Sequence, residues 1–165
     1  MRRVALLAGL VAVSAVVGCA PAAKKPVFNA AKTIDALRAD EVDWNADWKS
    51  GDPGKVVAHF APDAVAMLPG EPPAAGLEAI RSQTQRAMDD PGFSLTFNSE
   101  KVIVATSGDL AAARGVFTLK ATDPATKAVT TSSGAFVTVY KPQPDGAWRA
   151  IWDIATLGPT PAAPK

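Results

Sequence analysis

The C-terminal half of the chain sets the tightest limits on its fold. From Phe93 to Thr156, apolar and polar residues alternate in long runs. Turn clusters cut these runs at Ser107-Gly108-Asp109, Asp123-Pro124-Ala125-Thr126 and Pro144-Asp145-Gly146. A period of two bounded by such turns reads as half-buried β-strands. The strands expected are Phe93–Phe97, Val102–Val104, Ala111–Thr122, Val129–Lys141 and Trp148–Thr156, a meander of antiparallel strands with one face to bury.

The N-terminal half supplies what covers that face. Ile34, Leu37, Glu41, Trp44 and Trp48 recur at spacings of three and four, which predicts a helix over Asn29–Ser50. Gly51-Asp52-Pro53 provides a helix stop, an N-cap and a first-turn proline in succession. A short helix over Gly54–Phe60, a strand over Ala64–Leu68, a stiff loop over Pro69–Gly76 and a helix over Leu77–Met88 follow. Helices first and strands after argue for an α+β domain, a strongly curved antiparallel sheet wrapped around about three helices.

Composition narrows the function. The chain is 48% hydrophobic and 20% charged, a globular balance. A net charge of +1 gives no electrostatic basis for nucleic-acid binding. With one Cys and one His, neither a disulfide scaffold nor a Cys/His metal site is expected, and no cofactor is implied.

The first segment reads as an address. Met1-Arg2-Arg3 precedes an apolar run, Val4–Val17, that is short for a bilayer span and fits a secretory signal. Val16-Val17-Gly18-Cys19 resembles the lipobox of bacterial lipoproteins. That resemblance implies cleavage after residue 18 and lipidation of Cys19. Loss of Arg2 and Arg3 then takes the net charge from +1 to −1. Residues 19–28 read as a tether, 29–157 as the domain and 158–165 as a disordered Pro/Ala tail. Ala20 after the cysteine, by resemblance to Gram-negative lipoproteins, favours the periplasmic face of the outer membrane.

Several motifs occur in order: Trp44, Gly51-Asp52, Phe60-Ala61-Pro62-Asp63-Ala64, Pro69-Gly70-Glu71-Pro72-Pro73 with Gly76, Ser107-Gly108-Asp109-Leu110, and Asp145 to Ile154. Together they resemble the SnoaL-like branch of the nuclear transport factor two-like superfamily, whose members include ketosteroid isomerases. The resemblance covers residues 30–157 and implies a cone with an internal pocket, often dimerised through its sheet. It also places the three polar catalytic positions of ketosteroid isomerases at Trp44, Leu68 and Phe136. None of these can act as a carboxyl or hydroxyl, so that mechanism is not expected.

One carboxyl remains as a candidate. Strand alternation puts Arg149, Ile151, Asp153 and Ala155 on one face, and Trp148, Ala150, Trp152 and Ile154 on the other. The resemblance turns the Asp153 face toward the pocket, where desolvation would raise its pKa. The pocket residues expected are Trp44, Met67, Leu68, Met88, Phe136 and Ile151, with Asp153 or Arg114 orienting a ligand. His59 reads as a surface residue, and Asp40 and Asp47 as solvated helix charges. The resemblance, with the catalytic positions replaced, implies a module that binds a small, largely apolar molecule. The alternative is an isomerase, cyclase or lyase with Asp153 as its acid/base. Trp148 and Trp152 on an outer face would form an apolar patch that suits a homodimer.

Overall fold

The computed structural model describes residues 29–159. The proposed signal segment, Cys19 and the tether lie outside them, as does most of the Pro/Ala tail. Helix α1 spans Ala30–Ser50, with the Asn29 side chain accepting from the Lys32 N–H at its start. Gly51 ends it at φ 72°, and the Asp52 carboxylate accepts from the Gly54 N–H to open α2, Pro53–Val57. This corner is the one expected from Gly51-Asp52-Pro53. No helix among the described residues is long and apolar enough to cross a membrane.

The strands are β1 (Phe60–Met67), β2 (Ala74–Ala75), β3 (Ser94–Val104), β4 (Ala111–Thr122), β5 (Val129–Pro142) and β6 (Trp148–Leu157). Helix α3, Leu77–Met88, lies between β2 and β3 in the chain. Two strands expected over Phe93–Val104 are one continuous strand, and α2 is shorter than expected because β1 already begins at Phe60. The single sheet has the order β2-β1-β6-β5-β4-β3 and is curled but unclosed. The pairs from β3 to β6 form the antiparallel meander, whereas β1 joins β6 in parallel. That parallel joint brings the first strand beside the last.

Two cross-strand pairs let the sheet curl. Gly115 on β4 faces Phe136 on β5, and Phe117 faces Gly134. A Cβ at Gly115 would lie 2.0 Å from the Asn98 carbonyl oxygen and 2.8 Å from the Phe136 ring. A Cβ at Gly134 would lie 2.1 Å from the Thr156 carbonyl oxygen and 2.6 Å from the Phe117 ring. The phenyl rings thus occupy space that side chains at the glycines would fill, and each ring covers the backbone of the neighbouring strand.

The edge strand β3 is closed off by α1. Asn45 donates from Nδ2 to the Phe97 carbonyl at 3.0 Å and accepts from the Phe97 N–H at 3.1 Å. Glu41 accepts from the Ser99 N–H at 3.0 Å and from its hydroxyl. These side chains satisfy backbone groups that an open edge would expose. Leu37, Trp44, Val56, Phe60, Ile80 and Ala150 are buried in the core between the helices and the sheet.

Candidate functional site

The core does not fill the cone. A cavity of about 360 Å³ lies between the sheet, α1 and α3. Its wall is largely apolar: Phe117, Phe136 and Ala155 come from the sheet, Trp44 and Trp48 from α1, and Ile80 from α3. Leu68, Pro69 and Glu71 border it from the loop after β1. Glu71 pairs with Arg86 of α3 at 3.2 Å, an exposed bridge between that loop and the helix.

Asp153 is the carboxyl set into the strand wall. It lies opposite Thr138 on β5, whose hydroxyl donates to its Oδ1 at 2.8 Å. Thr138 itself is almost wholly buried. Asp153 is half-buried, its side chain bordering the cavity. Burial pushes its carboxyl up to about 6, and the Thr138 hydrogen bond pulls the other way. Tyr140, buried on the same face of β5, has its phenol raised by burial and then by the charge of Asp153.

The expected pocket residues divide into two groups. Trp44, Leu68, Phe136 and Asp153 line the cavity together. Met67, Met88, Arg114 and Ile151 do not. Met67 pairs with Ile154, whereas its neighbour Ala66 pairs with Asp153 and faces inward, so Met67 takes the opposite face. Met88 packs against the core cluster beyond the α3 stripe that reaches the cavity. Arg114 is exposed and pairs with Glu100 at 2.7 Å.

Ile151 is displaced by a bulge. Val139 pairs with Trp152 but Tyr140 pairs with Ala150, which leaves Ile151 as an extra residue. The bulge also corrects the face assignment along β6. Ala150 lies on the inward side with Asp153, and Trp148 packs against the core. Trp152 is 51% exposed, so the two tryptophans do not share an outer face.

His59 departs most from the sequence reading. Its side chain is only 9% exposed. Nδ1 lies 2.9 Å from Asp40 Oδ1 and Nε2 lies 3.0 Å from Asp47 Oδ2. Carboxylates only accept, so donation to both requires the doubly protonated imidazolium. Burial lowers the His59 pKa, but the hydrogen bonds and charges of the two aspartates outweigh it and leave the value raised. The ring also stacks on Trp44, which meets Phe97 edge-on, and Phe97 meets Phe136 in the same way. An aromatic series therefore leads from the His59 clamp to the cavity wall. The signal available in the sequence was the seven-residue spacing of Asp40 and Asp47, two turns along one helix face.

The two ring nitrogens point in opposite directions, so the aspartates flanking them do not converge on one ion. Among the described residues, no group of three or more His, Cys, Asp or Glu is placed to hold a metal.

A curled sheet, helices on its concave side and an apolar cavity with an inward carboxyl define a cone-shaped α+β domain. The SnoaL-like domain model matches residues 42–151, and the chain belongs to that family. A ketosteroid isomerase-like protein from Erwinia carotovora atroseptica is 23% identical with a TM-score of 0.68, the match covering 83% of this chain and all of that one. A nuclear transport factor 2-like superfamily protein from Salmonella enterica is 15% identical with a TM-score of 0.66, over 81% of this chain and 96% of that one. An NTF2-like protein with a cystatin-like fold from Novosphingobium aromaticivorans is 20% identical with a TM-score of 0.63, over 77% and 82%. At these identities the structures establish a shared fold. No curated protein matches the chain.

Proposed function

We propose that this SnoaL-like domain is a binding module, carried on an envelope lipoprotein, that holds a small and largely apolar molecule in its cone. The observation carrying this reading is the cavity of about 360 Å³, walled by aromatic and aliphatic groups with Asp153 set among them. Ligand sites are commonly about 300–1,000 Å³, mostly apolar, with a few polar groups that fix orientation. The positions aligned with the ketosteroid isomerase catalytic groups hold Trp44, Leu68 and Phe136, all on the wall and none able to take up a proton as a base. Those side chains support binding over steroid isomerisation. The test is ligand binding by an Asp153→Asn variant, where the module reading expects binding to persist with modest loss.

A second reading draws on the carboxyl itself. A group titrating at about 6 in a cavity is suited to proton transfer near neutral pH. In an isomerase, cyclase or lyase, Asp153 would move the proton, and Asp153→Asn would abolish turnover while leaving binding intact.

In the same proposal, Cys19 carries the lipid and places the domain at the periplasmic face of the outer membrane. A Cys19→Ser chain is then expected in the soluble fraction, and continued fractionation with membranes contradicts the anchor. The outer sheet face exposes Val116, Val137 and Trp152, which supports association of two copies through the sheet.

A further inference from the structure

Asp153 sits in the cavity wall with no Lys or Arg of the described residues paired to it. Among the described residues, the one hydrogen bond to Asp153 comes from Thr138, and it goes to Oδ1. Oδ2 accepts none. No Lys or Arg contributes to the charge balance of Asp153. Arg86, which also lines the cavity, is paired with Glu71 of the loop after β1, and Arg114 and Arg149 pair with Glu100 and Asp145.

Burying a carboxylate without a partner is unfavourable, and an arriving cation relieves that cost. Thr138 strengthens the preference. Its single hydroxyl proton is committed to Asp153, so it favours the ionised carboxylate and leaves no proton for a ligand acceptor. The aromatic part of the wall adds to this, while Trp44 Nε1 and Gln83 Nε2, unpartnered among the described residues, leave donors for an acceptor elsewhere on the ligand. Trp44, Phe117 and Phe136 present aromatic rings around the space, and aromatic faces attract cations in a dehydrated site.

We propose that the occupant of the cone is an amine-bearing apolar molecule, its ammonium group against Oδ2 of Asp153 and its hydrocarbon body along Trp44, Phe117 and Phe136. This rests on the reading that the cavity binds a ligand, and it specifies the chemistry of that ligand. The ammonium supplies the missing charge and a hydrogen bond, while the apolar body displaces water from the aromatic wall. A neutral alcohol would supply the hydrogen bond alone. A carboxylate ligand would set two negative charges against each other. The raised pKa of Asp153 adds a pH signature: amine binding strengthens as the carboxyl ionises above about pH 6.

The experiment is calorimetric titration of the full chain with three probes sharing one skeleton: 4-phenylbutylamine, 4-phenylbutanol and 4-phenylbutanoate. At about pH 7.5 the amine is expected to bind roughly tenfold or more tighter than the alcohol, the scale of one charge-assisted hydrogen bond. This advantage is expected to shrink at about pH 5, where Asp153 is protonated, and to vanish in Asp153→Asn while alcohol binding persists with modest loss. The pH comparison on the unmodified chain stands even where the variant fails to fold. Alcohol or carboxylate binding as tight as the amine at about pH 7.5 overturns the inference and leaves the cavity reading intact. Failure of all three probes to bind overturns both.

Discussion

The indole of Trp44 lies nearly parallel to the imidazole of His59, with ring centroids 5.1 Å apart and 14° between the planes. The other ring contacts of Trp44 are edge-on, to Phe60 at 5.1 Å and Phe97 at 5.5 Å. The same side chain therefore covers the His59 clamp and forms part of the cavity wall. The charge state of one histidine, held by Asp40 and Asp47, bears directly on the packing of a residue of the cavity wall.

Stability should decline as the solution becomes basic. The His59 pKa is raised in the folded state, so its contribution is fully present below its ordinary value of 6.5 and is lost as pH rises through the folded value. His59→Gln should cost about 1–3 kcal/mol near pH 6, the scale of hydrogen bonds to charged groups. Its penalty should be smaller near pH 9. Urea denaturation of the two proteins across that range checks the prediction, and Trp emission should follow the same titration in the unmodified chain.

Asp153 should act in the opposite manner to a stabilising carboxylate. Its folded pKa of about 6 lies above the ordinary 3.8, so the folded state binds the extra proton between those values. Stability contributed by this group is therefore lost as pH rises from about 4 to about 6. Asp153→Asn should be stabilising near pH 7 by up to about 3 kcal/mol, with little effect near pH 3.5. Paired denaturation curves at the two pH values measure the difference. A stabilising substitution that weakens amine binding would mark Asp153 as retained for function.

Gly115→Ala should destabilise the domain by about 1–3 kcal/mol, the cost of overpacking. The added Cβ meets the Asn98 carbonyl oxygen at 2.0 Å, where the obstruction is backbone and cannot rotate away. Relief requires the sheet to flatten or Phe136 to move, so the cavity should change as well. Thermal denaturation, combined with probe binding by the surviving folded fraction, separates loss of stability from loss of cavity shape.

Trp152 provides the test of self-association. It is 51% exposed, with Val116 at 48% and Val137 at 41% on the sheet. Trp152→Glu should convert a dimer to a monomer in sedimentation velocity at micromolar concentration, without altering the circular dichroism spectrum. A monomer before substitution removes the sheet-to-sheet dimer from the account.

The legible parts of the fold were those set by local rules. The α1 stripe from Ile34 to Trp48 and the Gly51-Asp52-Pro53 corner depend on neighbours within one or two turns, and the structure has both. The turns between β4, β5 and β6 were legible for the same reason. Alternation along β6 was extended across Ile151, where a bulge reverses which residues face inward. That bulge arises from pairing with β5, and the sequence of β6 carries no sign of it. Met67 is among the pocket residues expected from sequence, but the parallel pairing with β6 selects Ala66 for the cavity. Asp40 and Asp47 looked like ordinary helix charges because their partner, His59, reaches them only after the chain turns back at α2. Asp153 could be singled out because strand alternation and the family resemblance turn it toward the pocket, whereas its link to Thr138 depends on register.

The central claim is that the cone is an occupied binding site. Native mass spectrometry of the protein purified gently from the cells that produce it tests it most directly. The account predicts a reproducible added mass, basic in character, that is reduced by Asp153→Asn and by filling the cavity with Ala155→Phe. A folded protein that shows no added mass, and takes up none of the apolar probes at high concentration, would contradict it.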